Sequence, residues 1–314
     1  MKLSKLLLPI LLFFIMERGF PQDRLRYFVM DSTMQKGLKF NHLKCADDRY
    51  QVELFNVFDL KNKELLTLFT ALPDHKTRKP EWKEIKLDSI SNKIVSIDTL
   101  TKQFEKNLSA FINSRGEKAG WGFKDNFIKP IIRLGNKFYT PISQTLMEHF
   151  ILTPHQDDKL NLTDIFPNLN QFFEININAP IFPLAKFEQI YMKQLKHPSF
   201  NSAYDTFDRF NTHYLYNSNI LIRDNDTQIM GKKAYKFWTL GSWTIDGDNS
   251  QRGIDRFTYM PEIGIISGAY SYFYWYENGG KIRTLPASEL VVRYLKDIQV
   301  MPYEINGRKY LLNS

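Results

Sequence analysis

The sequence lacks the cysteines that could cross-link a fold through disulfides or through a cysteine-bound metal. Cys45 is the single cysteine among 314 residues, which excludes an internal disulfide and a cysteine-based zinc site. No internal repeat or low-complexity tract is present. Stability must therefore come from a hydrophobic core, and a chain that is 43% hydrophobic and 24% charged can bury one and is not disordered.

The sequence also lacks an apolar run long enough to cross a membrane. The run at residues 6–16 has eleven residues and follows Lys2 and Lys5, whereas a spanning helix needs about 20. A basic start before a short apolar stretch predicts a secretory signal peptide over residues 1–22, cleaved between Gly19 and Gln22. The alternatives are an uncleaved anchor and an N-terminal core helix.

Export without disulfides is commoner in bacterial envelopes than in small secreted eukaryotic domains. We therefore expect a periplasmic or secreted bacterial protein with no integral membrane span after signal removal. The net charge of +8 comes from basic residues that are scattered along the chain. Nucleic-acid binding usually requires a focused basic stripe, so we expect no nucleic-acid partner.

Aromatic residues, in contrast, are abundant at 15% and are concentrated in residues 234–285. Residues 270–276 read YSYFYWY, which at a period of two places four tyrosines on one face of a strand. Turn-forming residues flank this stretch, at 246–249 and at 278–280. The pattern predicts an antiparallel sheet of three or four strands.

Tyrosine and tryptophan on a half-exposed strand can stack on a sugar ring or a peptide side chain and offer a hydrogen-bonding edge. We therefore name Trp243, Tyr272 and Tyr274 as candidate ligand-binding residues for a glycan or a peptide. The alternative is that a neighbouring helix half covers the tyrosine face and that the rings only pack.

Several helices are predicted before residue 200. Leu100 and Phe104 belong to an apolar stripe over residues 98–113, with Ser96 or Asp98 as the N-cap. Further helices are predicted at 141–150, 183–196 and 286–297. Strands are predicted at 27–30, 50–55, 172–177 and 220–223, with short ones within 85–97, and a surface loop at 73–84. Residues 63–72 fit either a helix or a buried strand. The sequence Asn-Gly at 306–307 predicts a hairpin.

These elements predict an α+β fold with an antiparallel, aromatic-rich C-terminal sheet and several helices, mostly in the N-terminal two-thirds. The predicted organisation is a signal peptide (1–22), a mixed α/β region (23–200) and a β-rich region (201–314). The last two regions could form one continuous domain.

No pattern of catalytic or metal-binding residues is specific. The densest group of possible metal ligands is His149, His155, Asp157 and Asp158. Its spacing matches no known ligand pattern, so we interpret these as surface polar residues. Asp246, Asp248 and Ser250 alternate as in the first half of a calcium loop, but such a loop would need glycine and glutamate where Gln251 and Phe257 stand, so a turn between two strands explains them better. Carboxylate pairs, nucleophilic serines and Cys45 lack any signature. We expect no metal and no cofactor.

The sequence thus favours a non-enzymatic binding or structural role, with a glycan or an envelope protein as partner. One alternative is a hydrolase acting on envelope polymers through carboxylates that the sequence does not identify. Another is an interaction module that presents the tyrosine face to a second protein.

Overall fold

The structure is a computed structural model, and its class is mostly β. It is 53% strand and 18% helical, so the predicted α+β fold with several helices is wrong. The described residues are 24–46, 50–61, 64–74, 77–113, 124–125, 127–152, 174–187, 189, 221–229, 231–239, 254–270, 276–278, 281–283, 295–300, 303–305 and 308–310.

Nineteen strands lie within these residues: β1 Arg26–Met30, β2 Leu38–Ala46, β3 Gln51–Asp59, β4 Leu65–Ala71, β5 Trp82–Ile85, β6 Lys124–Asp125, β7 Ile128–Leu134, β8 Lys137–Pro141, β9 Thr145–Ile151, β10 Leu221–Arg223, β11 Thr227–Ile229, β12 Lys232–Thr239, β13 Ile254–Met260, β14 Gly264–Tyr270, β15 Tyr276–Asn278, β16 Lys281–Arg283, β17 Leu295–Val300, β18 Tyr303–Ile305 and β19 Arg308–Tyr310. The described helical elements are a 3-10 helix at Leu87–Lys93, the α-helix α1 at Ile97–Asn113 and one helical turn at 184–187.

One large sheet contains eleven of these strands. Its order is β10-β12-β13-β14-β17-β2-β3-β4-β9-β6, with β11 paired to β12. Its strand pairs are antiparallel. The antiparallel C-terminal sheet predicted for residues 234–285 is confirmed for β12, β13 and β14. The boundary proposed near residue 200 stays a prediction.

The large sheet folds back so that its two halves share one core. Leu43, Leu54 and Leu66, from β2, β3 and β4, belong to the same buried cluster as Phe257 and Ile265, from β13 and β14. The rings of Phe150 and Phe257 meet edge to face with centroids 5.4 Å apart. Burial of this apolar area is the main favourable contribution to the stability of such a fold.

The opposite face of β2–β4 and β9 is covered by a second sheet and by α1. The second sheet has the order β1-β7-β8-β5, in which β1 and β7 are parallel. Phe28 of β1 stacks on Phe69 of β4 with ring centroids 5.2 Å apart. Leu100 and Phe104 of α1 are buried against the large sheet, and the Thr99 amide donates to Ser96 Oγ. The predicted helix and its serine cap are confirmed.

The helix predicted at 141–150 is wrong, because Thr145–Ile151 is strand β9. All seven residues of β9 are buried and pair with β4. A strand that is covered on both faces loses its polar alternation, so its sequence resembles a buried helix. The proline and threonine that suggested a helix start belong instead to the end of β8.

Other local predictions have mixed outcomes. Residues 65–71 form a strand, which resolves the ambiguity at 63–72. The prediction of short strands within 85–97 is wrong for the residues of the 3-10 helix. The predicted surface loop at 73–84 is wrong from Trp82 onward, where β5 begins. The predicted helix at 286–297 is wrong at its end, where β17 begins. The strands at 27–30, 50–55 and 220–223 are confirmed, as is the pairing of β18 with β19 across Asn-Gly. In the strand predicted at 172–177, the described part holds one bridge, at Glu174.

Two buried asparagines join the halves of the large sheet. Asn56 Nδ2 donates to the Ile265 carbonyl (2.9 Å), and the Ile265 amide donates to Asn56 Oδ1 (2.8 Å). Asn41 Nδ2 donates to the carbonyls of Glu262 and Ile263 (2.8 and 3.0 Å). The Asn56 side chain thus satisfies both peptide groups of Ile265, which is fully buried.

We expect Asn56→Ala to destabilise the protein by about 3 kcal/mol, because it leaves both peptide groups of Ile265 buried without hydrogen bonds. Urea denaturation at pH 7 measures the free energy of unfolding. Gly264→Ala should also be strongly destabilising, since φ at Gly264 is +102° and an added Cβ would collide with the Asn56 side chain. The exposed Asn225→Ala is the matched control and should change stability by less than about 0.5 kcal/mol. An Asn56→Ala protein as stable as this control would contradict the role of Asn56.

Candidate functional site

The three predicted ligand-binding residues, Trp243, Tyr272 and Tyr274, lie outside the described residues. Their flanking strands β14 and β15 are described, but the tyrosine face of 270–276 is not. On the described aromatic strands most rings serve the core: Phe237, Trp238, Phe257 and Tyr259 are buried. Tyr235 is half-buried, with the Arg223 guanidinium 5.4 Å and the Lys233 amine 5.0 Å from its ring centroid.

The prediction of a surface position is wrong for His149, which is buried on β9. Its Nδ1 lies 2.9 Å from Thr67 Oγ1, and its ring lies 5.0 Å from the Phe104 ring. Burial lowers its pKa from 6.5 to about 3, so the imidazole is neutral at pH 7. Among the described residues, no three His, Cys, Asp or Glu side chains are arranged to hold a metal ion.

The other members of the group lie outside the described part of the chain: His155, Asp157 and Asp158. Cys45 is fully buried on β2, and its Sγ donates to the Ile266 carbonyl at 3.6 Å. Burial raises the pKa of this thiol far above its ordinary value. The thiol therefore stays protonated and packs in the core, as a structural cysteine does.

A cluster that the sequence does not single out lies where the edge of the second sheet meets the large sheet. We call it the His42 cluster, and it consists of His42 of β2, Glu53 and Phe55 of β3, and Trp82 of β5. His42 stands directly opposite Phe55 in the β2–β3 ladder, and Lys44 stands opposite Glu53. Alternation along both strands turns these side chains toward the second sheet.

The carboxylate of Glu53 is the centre of the His42 cluster. Glu53 Oε2 lies 2.7 Å from His42 Nε2, and Trp82 Nε1–H donates to Glu53 Oε1 at 3.2 Å. When Glu53 is ionised it accepts from both rings, so a neutral His42 carries its proton on Nε2 and presents Nδ1 as an acceptor. No partner for His42 Nδ1 exists within the described residues.

The rings of the cluster contact one another through Phe55. His42 stacks on Phe55 with centroids 4.2 Å apart and an interplanar angle of 13°, and Phe55 meets Trp82 edge to face at 5.8 Å. The Glu53 side chain is 9% exposed, whereas that of His42 is 35% exposed. A fixed, half-exposed imidazole on an apolar base is a surface that can receive a flat ligand with hydrogen-bonding groups.

None of the helices in the described part of the structure combines the length and the apolar character needed to cross a bilayer.

We expect the buried His149 to make the protein sensitive to acid. The unfolded chain binds a proton near pH 6.5 and the folded protein only near pH 3, so stability is lost as the pH falls through that window, by about 1.4 kcal/mol per pH unit at most. Urea denaturation at pH 7 and at pH 5 measures the free energy of unfolding. Between these two pH values it should fall by about 2 kcal/mol less in His149→Gln than in the wild type.

Gln228, an exposed residue of β11 that carries no ionisable group, offers the control for this experiment. Gln228→Ala should keep the acid loss of the wild type. An equal loss in His149→Gln and the wild type would mean that the His149 imidazole is not the group responsible.

Comparison of the chain with protein-family models, with curated proteins and with solved structures finds no match in any of the three.

Proposed function

We propose that the protein is an exported bacterial envelope or secreted protein with a binding or structural role, and that its ligand is a glycan or a peptide. The observation that supports this best is the His42 cluster. It combines a half-exposed imidazole that stacks on Phe55 and is held in one orientation by Glu53, the neighbouring Trp82 ring, and an exposed ammonium at Lys44. Flat apolar area with a few oriented polar groups is what recognition of a sugar ring or a peptide side chain requires.

The contacts of Glu53 favour binding over catalysis. Both of its oxygens are engaged, one by His42 and one by Trp82, so the carboxylate positions two rings. A nucleophilic mechanism would need a hydroxyl or thiol within hydrogen-bond reach of the imidazole. Within the described residues no serine, threonine or cysteine is bonded to His42.

The tyrosine segment remains part of the proposal. Trp243, Tyr272 and Tyr274 are the sequence-based candidates for a ligand surface, and the strands that flank them belong to an antiparallel sheet as predicted. The His42 cluster and the tyrosine segment are two alternative locations for the ligand. Substitutions in each location distinguish them.

A hydrolase acting on envelope polymers is the second candidate, and the His42–Glu53 pair is the observation that favours it. An imidazole bonded to a carboxylate can act as a general base on water. Glu53→Gln keeps the shape of the site and removes the charge. The assay measures how fast the protein releases reducing ends from peptidoglycan. If the wild type releases them and Glu53→Gln is at least a hundredfold slower while it still binds the ligand, the function is hydrolysis and not binding alone.

For the binding role we expect His42→Ala to raise the dissociation constant of the ligand about tenfold, which corresponds to about 1.4 kcal/mol of binding free energy. Isothermal titration calorimetry with a tetramer of N-acetylglucosamine and with a soluble peptidoglycan digest measures the dissociation constant. Gln228→Ala, an exposed strand substitution on β11, is the control and should bind as the wild type does.

The combined variant Trp243→Ala, Tyr272→Ala, Tyr274→Ala tests the other location. A loss of binding in this variant alone would move the ligand from the His42 cluster to the tyrosine segment. Failure of the wild type to bind either probe would contradict the glycan and peptidoglycan part of the proposal.

Export has a separate test, which is N-terminal sequencing of the mature protein from a bacterial envelope fraction. We expect the mature chain to begin between Phe20 and Asp23, because the basic and apolar start of the sequence matches a signal peptide. Recovery of the chain with Met1 intact from the cytosol would contradict export.

A further inference from the structure

The outer face of the second sheet changes from apolar to basic along its length. At one end, Ile85, Ile131 and Phe138 belong to a cluster with Tyr27, close to the 3-10 helix. At the other end, the residues two positions away on the same strands are Lys83, Lys129 and Thr140. Because side chains alternate along a strand, these three project from the same face as the apolar cluster.

The β5–β8 pairing makes two of these side chains neighbours, because Lys83 stands directly opposite Thr140 in this antiparallel ladder. Lys129 lies on β7 as the register partner of Tyr27, and it is close enough to Lys83 for the two like charges to interact. Directly opposed antiparallel residues have Cβ atoms about 5 Å apart. Trp82, which belongs to the His42 cluster, projects from the other face of β5. The two sites therefore lie on opposite sides of one strand.

Two hydroxyl groups at this basic end are buried without a hydrogen bond. Thr140 Oγ1 and Ser143 Oγ have no partner within the described residues, and Thr140 is 0% exposed. A buried hydroxyl that makes no hydrogen bond costs about 1–3 kcal/mol. Native structures seldom leave such groups without a partner, so both hydroxyls have hydrogen-bonding capacity that a bound group could satisfy.

Lys129 fixes the loop that carries Ser143. Its Nζ donates to the carbonyls of Pro141, Ile142 and Ser143, at 2.8, 3.0 and 3.1 Å. Burial and the like charge of Lys83 lower the pKa of Lys129 to about 8. The acidic residue of β5, Glu84, bonds Lys137 at 2.7 Å and projects from the face of Trp82. The positive charge at Lys83 and Lys129 is therefore not neutralised by this carboxylate.

We propose that Lys83, Thr140 and Ser143 form a binding site for a phosphate group, with Lys129 as the residue that positions the 141–143 loop. The Lys83 ammonium and the two hydroxyls supply hydrogen-bond donors, and the positive charge of two lysines attracts an anion. A tetrahedral oxyanion offers enough acceptors for all of these donors at once. The site is separate from the His42 cluster and does not depend on the function proposed for that cluster.

Titration of the full chain with inorganic phosphate, followed by isothermal titration calorimetry at low ionic strength, tests the site. We expect Lys83→Met to raise the dissociation constant of phosphate at least tenfold. Lys137→Met is the matched control, since it removes one exposed lysine from the same sheet, on the opposite face, and should change the dissociation constant less than twofold. Equal weakening by both substitutions would show a general charge effect and would overturn the proposal, as would a wild type that does not bind.

Thr140→Val gives a second readout that a purely structural threonine would not give. Without phosphate this variant should melt at a higher temperature than the wild type, because an unbonded buried hydroxyl becomes a methyl group of similar size. It should also lose most of the rise in melting temperature that phosphate gives to the wild type. A Thr140→Val protein that keeps the full phosphate-dependent rise would overturn the assignment of Thr140.

A phosphate group could be free or could belong to a lipid headgroup. Vesicles of phosphatidylglycerol in phosphatidylcholine, used in place of inorganic phosphate, separate these sources. Vesicle binding that Lys83→Met abolishes and Lys137→Met leaves intact would assign the site to a lipid headgroup. Binding of inorganic phosphate with no binding to vesicles would assign it to a soluble phosphate ester.

Discussion

The hydrogen bonds of Asn41 and Asn56 to the β13–β14 hairpin are the interaction on which the rest of the structure depends. They connect residues separated by more than 200 positions in the chain and fix how one half of the large sheet lies over the other. Nonpolar burial between the halves supplies the driving force, but it is not directional. The two amides add direction, because a hairpin shifted by one residue would leave buried peptide groups unsatisfied. Glu148 acts in the same way at the far end, where the Ile254 amide donates to its carboxylate.

This fold-back determines which surfaces remain for function. It takes most of the described aromatic rings of β12 and β13 into the core, where Phe237 and Phe257 stack at 5.5 Å. The other face of β2–β4 is covered by the second sheet and α1. Polar groups with unused hydrogen-bonding capacity are left at the margins of the second sheet, around β5. The His42 cluster lies on one side of this strand and the proposed phosphate site on the other.

The sequence predicted the elements whose signals are local. The α1 stripe, its Ser96 cap and the Asn-Gly hairpin depend on residues a few positions apart, and all three are confirmed. The assignment of β9 and of the fold class depends on which elements cover a strand on both of its faces. No local sequence pattern indicates which elements these are. The His42 cluster was missed for a related reason: His42 and Glu53 are eleven residues apart, and only the β2–β3 register brings them together. That register could have been inferred from two alternating strands around a polar turn. The approach of Trp82 could not, because it depends on the packing of two sheets.

Native-state hydrogen exchange at the Ile265 amide is the most direct test of the fold-back. The Asn56 side chain is its acceptor, so this amide should exchange only when the whole protein unfolds. We expect its exchange to be as slow as that of the β3–β4 ladder amides, such as Phe55 and Leu68, and to become much faster than theirs in Asn56→Ala. Fast exchange at Ile265 in the wild type, with β3 and β4 still protected, would contradict the claim that these hydrogen bonds hold the two halves of the sheet together.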